Sequence, residues 1–133
     1  MRNDQERARH ALDRLREVEK QSEKVRKSYR SYVERLGPAI LINGLGQALA
    51  MEVAAAGRDK RKEDEQAHFQ LYQNLNHLLS QPGEVFEGKL DVLDALISGD
   101  QEQYVAAQTE ALAWLSWHKK FCQAYLPREE DVP

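Results

Sequence analysis

The sequence predicts an all-α fold: a single-domain bundle of about five helices, with no sheet. Three observations lead there. Strict apolar–polar alternation is absent and β-branched residues are few; Ala, Leu, Glu, Gln, Lys and Arg dominate; and apolar residues recur at steps of three and four. With 133 residues, 41% hydrophobic and 31% charged, the chain is long enough to close one proper core. Residues 1–126 are expected to form the domain, and 127–133 a frayed tail.

The first helix is expected from about Asp4 to Leu36. Ala8, Leu12, Leu15, Val18, Ser22, Val25, Tyr29, Tyr32 and Leu36 form its seam, and Gly37-Pro38 ends it. Pro38 suits the first turn of a second helix. That helix runs to about Ala56, where Gly57 stops it, with a bend or break at Asn43-Gly44. The polar link "RDKRKEDE" leads into a third helix with Phe69, Tyr72 or Gln73, Leu75 or Asn76, and Leu79 inward. "SQPGE" interrupts it. A fourth helix is expected from about Glu84 to Ile97, with Val85, Phe86, Leu90, Leu93 and Ile97 inward. Gly99 suits a C-terminal cap and Asp100 an N-cap, opening a fifth helix from about Gln101 to Tyr125.

Leu36–Met51, "LGPAILINGLGQALAM", carries no charge at all. Its Gly44 and Gly46 form a G-x-G fragment, but a dinucleotide fingerprint needs a third glycine and a preceding strand, and a P-loop needs G-K-[ST]. Both are missing. The run reads as a helix packed on most sides, whose glycines let a neighbour approach. Asn43 and Gln47 are expected to satisfy the bend or a partner. Asn43, Gly44, Leu45, Gly46 and Gln47 thus form a core or subunit-contact motif, with Leu45 and Leu49 in the core.

Chemistry-bearing constellations are thin. A single cysteine, Cys122, excludes an intramolecular disulfide and a multi-cysteine zinc site. His118 and Cys122 lie one turn apart, and two ligands do not make a metal site; a packed histidine fits better. Asp64 and His68 share that spacing, as a helix-surface ion pair would. No serine sits in an elbow motif. No catalytic residue, metal or cofactor is expected. Tyr104, Trp114, Trp117, Phe121 and Tyr125 include steps of three and four and read as core, both indoles needing an acceptor. The charged N-terminus lacks the apolar stretch of a signal peptide, and no run approaches the ~20 apolar residues of a membrane span. A cytoplasmic protein is expected.

Charge is divided unevenly. Residues 1–62 carry 15 Lys/Arg against 9 Asp/Glu, a net of +6; residues 63–133 carry 4 against 13, a net of -9. Such a split suits an anionic partner or head-to-tail packing of copies. On one continuous first helix, Arg2, Arg9, Arg16, Lys20, Lys24, Lys27 and Arg30 would share an arc of roughly 120°, and Arg9 to Arg30 would span about 30 Å. Glu6, Asp13, Glu23 and Glu34 share that arc, as they would on a solvated face. Arg9, Arg16, Lys20, Lys24, Lys27 and Arg30, with Arg58, Lys60, Arg61 and Lys62 downstream, are the candidate phosphate contacts.

Residues 29–51, "YRSYVERLGPAILINGLGQALAM", resemble the signature region of the small helical subunit of type III-B CRISPR (Cmr) complexes, which use a guide RNA to recognise foreign RNA. The family pattern is an aromatic-rich helix end, a proline, then the run found here as Asn43 to Ala50. "SGDQEQYVAAQTEALAWLSWHKKFCQAYL", residues 98–126, is similar to that family's last helix. Residues 57–96 resemble it less. Met51-Glu52 replaces a more apolar pair, and Leu41 stands where a basic residue is usual, which removes one expected contact if that residue touches RNA. The resemblance implies a non-catalytic all-α subunit, without cofactor or membrane association, present in several copies. Its partners would be other Cmr subunits, copies of itself in the minor filament, and the guide–target RNA duplex, mainly the target strand. Two other readings stand beside it: a helical adaptor without nucleic acid, and a small ribonuclease built on His68, His77 or His118.

Overall fold

The computed structural model describes residues 2–129 as six helices, with no strand among them. They are α1 (Asp4–Val18), α2 (Glu23–Asn43), α3 (Leu45–Ala56), α4 (Glu63–Ser80), α5 (Val92–Ser98) and α6 (Gln101–Tyr125). Most of the expected tail, residues 130–133, lies outside the described residues.

The long first helix is in fact two. The Ser22 hydroxyl accepts from Val25 N–H and opens α2 after a turn at Glu19–Gln21. The break lets α1 lie along α6 while α2 turns away to pack on α4 and α6. Nor does Gly37-Pro38 end a helix: α2 runs through Pro38, which lies on its exposed side. An interior proline costs roughly 3 kcal/mol. Burial of Val33 and Leu36 before it and Ile40 after it holds the helix together.

The expected break at Gly44 is there. At φ 86° this glycine ends α2 and starts α3, a backbone that L side chains rarely adopt. A Cβ at Gly44 would lie 2.8 Å from Tyr104 Oη, and one at Gly46 3.4 Å. The two glycines therefore admit α6, as expected. The freed amides are served from α6 rather than by Asn43 and Gln47, both exposed: Leu45 N–H donates to Gln108 Oε1 and Gly46 N–H to Tyr104 Oη, each at 2.9 Å. Leu45 and Leu49 are fully buried.

In α4 the inward stripe is Ala67, Leu71, Asn74, Leu75, Leu78 and Leu79, with Phe69 and Tyr72 at its margin and Gln73 exposed. The fourth helix is much shorter than expected. Gly88, at φ 75°, interrupts the pattern, and the chain from 81 to 91 is a series of turns. Asp91 then caps α5 by accepting from Leu93 N–H. Phe86 anchors the turns in the core; Leu90 and Ile97, expected inward, are 96% and 74% exposed. The last helix has the expected bounds, with Asp100 and Gln103 forming a reciprocal capping box.

Trp114 is fully buried and Trp117 and Phe121 pack against the core, while Tyr125 is half exposed beneath Arg16. The indoles donate to His10 Nδ1 (2.9 Å) and Asp4 Oδ1 (3.0 Å). Arg7 clamps α1 to α6 with a two-pronged bond to Glu110, Nε to Oε2 at 2.7 Å and Nη2 to Oε1 at 3.0 Å.

Candidate nucleic-acid interface

Because the first helix breaks, its basic residues do not share one continuous face. They have separate fates. On α1, Arg9 is exposed with no carboxylate partner among the described residues. Arg16 pairs with Glu19 at 2.8 Å and covers the Tyr125 ring. Lys20 pairs with Glu17 at 3.0 Å. On α2, Lys24 is exposed and unpaired among the described residues, but Lys27 is buried and paired with Glu23 at 3.2 Å. Arg30 is turned inward, donating to Glu34 and to the carbonyls of Gln123 and Leu126. It ties α2 to the end of α6.

The downstream cluster is more open. The loop 57–62 turns at Gly57 (φ 67°) and Lys60 (φ 49°) and presents Arg58, Lys60 and Lys62 to solvent. Arg61 serves the fold instead: it lies 3.8 Å from the Phe69 centroid and donates to the Ala56 carbonyl at 2.9 Å. Three carboxylates follow. Glu65 folds back to accept from Lys62 N–H and Glu63 accepts from Ser22, which leaves Asp64 as the one outward acid of that turn with no hydrogen bond or ion pair among the described residues.

His68 does not pair with Asp64. Its Nδ1 donates to Glu52 Oε2 at 2.6 Å, across from α3. Its ring stacks on Tyr32 of α2, centroids 3.6 Å apart and planes 10° from parallel. The Arg35 guanidinium lies 4.9 Å from the centre of that tyrosine ring. Burial pushes the Glu52 carboxyl above the usual range, and His68 opposes that shift. These groups edge a cavity of about 220 Å³, otherwise walled by Leu36, Ala39, Ala48, Met51 and Ala55. Sequence reading missed this column of Arg35, Tyr32, His68 and Glu52, having noted Glu52 only as a departure from an apolar pair. Only the uncharged run's interruption by a carboxylate hinted at it.

Of the other three histidines, His118 is fully buried and His10 and His77 are half-buried. His118 Nδ1–H donates to the Ala11 carbonyl at 2.9 Å, so Nε2 accepts from Tyr29 O–H at 2.6 Å. Asn74 Nδ2 donates to Tyr29 Oη at 2.7 Å, and Arg14 Nε to Asn74 Oδ1 at 2.8 Å. His10 accepts the Trp114 N–H on Nδ1 and therefore donates from Nε2 to His77 Nδ1 at 2.8 Å. Burial drives His10 and His118 down to about 3, and lowers His77. All three are neutral at pH 7 and serve packing. Burial also pushes the Cys122 thiol up, which makes it a poor nucleophile and ligand. No group of three or more His, Cys, Asp or Glu among the described residues could hold a metal ion. No described helix is long and apolar enough to cross a membrane.

Residues 3–125 match the family described as CRISPR-associated protein (Cas_Cmr5). The chain belongs to the Cas_Cmr5 family. The match spans nearly the whole chain and takes in residues 57–96, where the resemblance was weakest. Membership makes this the small subunit of a type III-B CRISPR Cmr complex, associated with the other Cmr subunits. A comparison with curated proteins finds no match.

Proposed function

We propose that this chain is a non-catalytic, cytoplasmic Cmr subunit that stacks with copies of itself in the minor filament and touches the target-strand backbone of the guide–target duplex through exposed cations. The family match over residues 3–125 carries the reading. Two properties of the chain support it. The histidines that a ribonuclease would need are dispersed: His118 is buried and His10 half-buried, both committed to neighbours, and His68 is tied to Glu52. Arg9, Lys24, Arg58, Lys60 and Lys62 remain exposed, without a carboxylate within ion-pair distance among the described residues, and such cations release counterions when they meet phosphates.

The test is reconstitution of the Cmr complex with and without this chain, and measurement of target-RNA affinity at several salt concentrations. The expected result is weaker binding and a shallower salt slope in its absence. An unchanged slope would leave the chain a helical adaptor with no RNA contact.

A further inference from the structure

We propose that the cavity between α2, α3 and α4 receives one unpaired nucleobase of an RNA strand, laid on the outer face of the Arg35 guanidinium. The proposal rests on the RNA-contacting reading above and adds a site to it. Sites that enclose a whole small-molecule ligand run to roughly 300–1,000 Å³. At about 220 Å³ this one suits a single ring system.

Its walls have the matching chemistry. The Tyr32 ring stacks on the His68 imidazole and has the Arg35 guanidinium 4.9 Å from its centre. Arg35 itself is exposed, so its outer face is open. Planar bases stack on guanidinium and aromatic faces in recognition of unpaired strands. The far end of the column is fixed by the His68–Glu52 bond, and Glu52 is only 8% exposed. Guanine, with two fused rings, offers the guanidinium a broad face. Apolar Leu36, Ala39 and Ala48 flank the ring. The loop 57–62 begins two residues beyond Ala55, a wall residue, and ends at the start of the helix that carries His68. Its Arg58, Lys60 and Lys62 are exposed and available to the flanking phosphates of such a base.

The experiment uses the purified full chain and two probes: a short oligouridylate with one central guanine, and the same strand with an abasic site there. The key variant is Arg35→Lys, which keeps the charge and removes the stacking plane. Parent protein is expected to bind the guanine strand about tenfold more tightly than the abasic one at low salt. Arg35→Lys should abolish that difference while leaving abasic affinity and melting temperature unchanged. Equal parent affinity for the two strands overturns the base site and leaves backbone contact standing. No binding of either strand overturns the base site, and the salt slope of the assembled complex then decides the backbone contact. If Arg35→Lys changes neither affinity but releases the chain from the assembled complex, the cavity seats a protein side chain and the proposal is wrong.

Discussion

Tyr29 Oη lies 2.6 Å from His118 Nε2 in the middle of the bundle, and both side chains are fully buried. The bond closes a directional chain from Arg14 through Asn74, Tyr29 and His118 to the Ala11 carbonyl. Each member between the ends donates one way and accepts the other. Such a chain tolerates an apolar core because no buried polar atom in it lacks a partner. Removing one link strands two atoms. Tyr29→Phe leaves Asn74 Nδ2 and His118 Nε2 without their partner, at a cost of about 1–3 kcal/mol per orphaned group. Urea denaturation should therefore show a loss of roughly 2–6 kcal/mol. A Tyr29→Phe protein as stable as the parent would mean that water or a neighbour replaces the hydroxyl.

The same burial makes the fold acid-sensitive. His118 and His10 titrate near pH 3 in the folded chain, against about 6.5 unfolded. Between those values the unfolded chain binds more protons, so stability rises with pH. The contribution is fully present above pH 6.5 and is lost as pH falls towards 3. Well below 6.5, each buried neutral histidine removes about 1.4 kcal/mol per pH unit. Urea midpoints from about pH 7.5 to 5, above the carboxylate range, should fall accordingly, with proton uptake on unfolding. A flat profile there would show that neither histidine is held below its unfolded value in the fold.

The two glycines of the uncharged run separate cleanly. Gly44 has both a positive φ and a Cβ position 2.8 Å from Tyr104 Oη. Gly46 has helical backbone and an approach of 3.4 Å. Gly44→Ala should destabilise by more than about 1 kcal/mol through backbone strain alone. Gly46→Ala, gaining helix propensity against a tight contact, should stay within about 1 kcal/mol of the parent. Equal losses in thermal melts would place the cost in the Tyr104 contact rather than in the turn.

What could be read from the chain alone follows from how local each signal is. The last helix was legible to the residue, since Gly99, Asp100 and Gln103 stop and restart the backbone within five residues. The turn after Val18 was not. Ser22 falls in phase with the apolar seam, and nothing like glycine or proline marks the break. Pro38 misled in the opposite sense, because burial on either side of it outweighs one missing hydrogen bond. Gly88 sat inside an apparent helical pattern whose Leu90 and Ile97 face solvent. The Arg35–Tyr32–His68–Glu52 column joins three helices, and its closing bond spans 16 residues. No spacing rule within one helix could have assembled it.

The cationic surface supplies the last test. Arg58, Lys60 and Lys62 are exposed and unpaired among the described residues, whereas Lys20 is paired with Glu17 and Lys27 is buried against Glu23. On a single strand, each cation withdrawn from a phosphate lowers the magnitude of the log–log salt slope by about 0.7. If the loop cations touch phosphates, Arg58→Ala, Lys60→Ala and Lys62→Ala together should lower it by roughly 2 in the assembled complex, whatever the RNA sequence. Stability should hardly move, because exposed charges contribute little to folding. The triple change of Lys20, Lys24 and Lys27 to Ala should lower the slope by less, nearer the ~0.7 of Lys24 alone. It should also destabilise the chain, since the buried stem of Lys27 goes with its charge. Slopes and melting temperatures for the two triple variants separate the surfaces. A full drop of about 2 for the second triple, with melting unchanged, would move the RNA contact to the junction of α1 and α2.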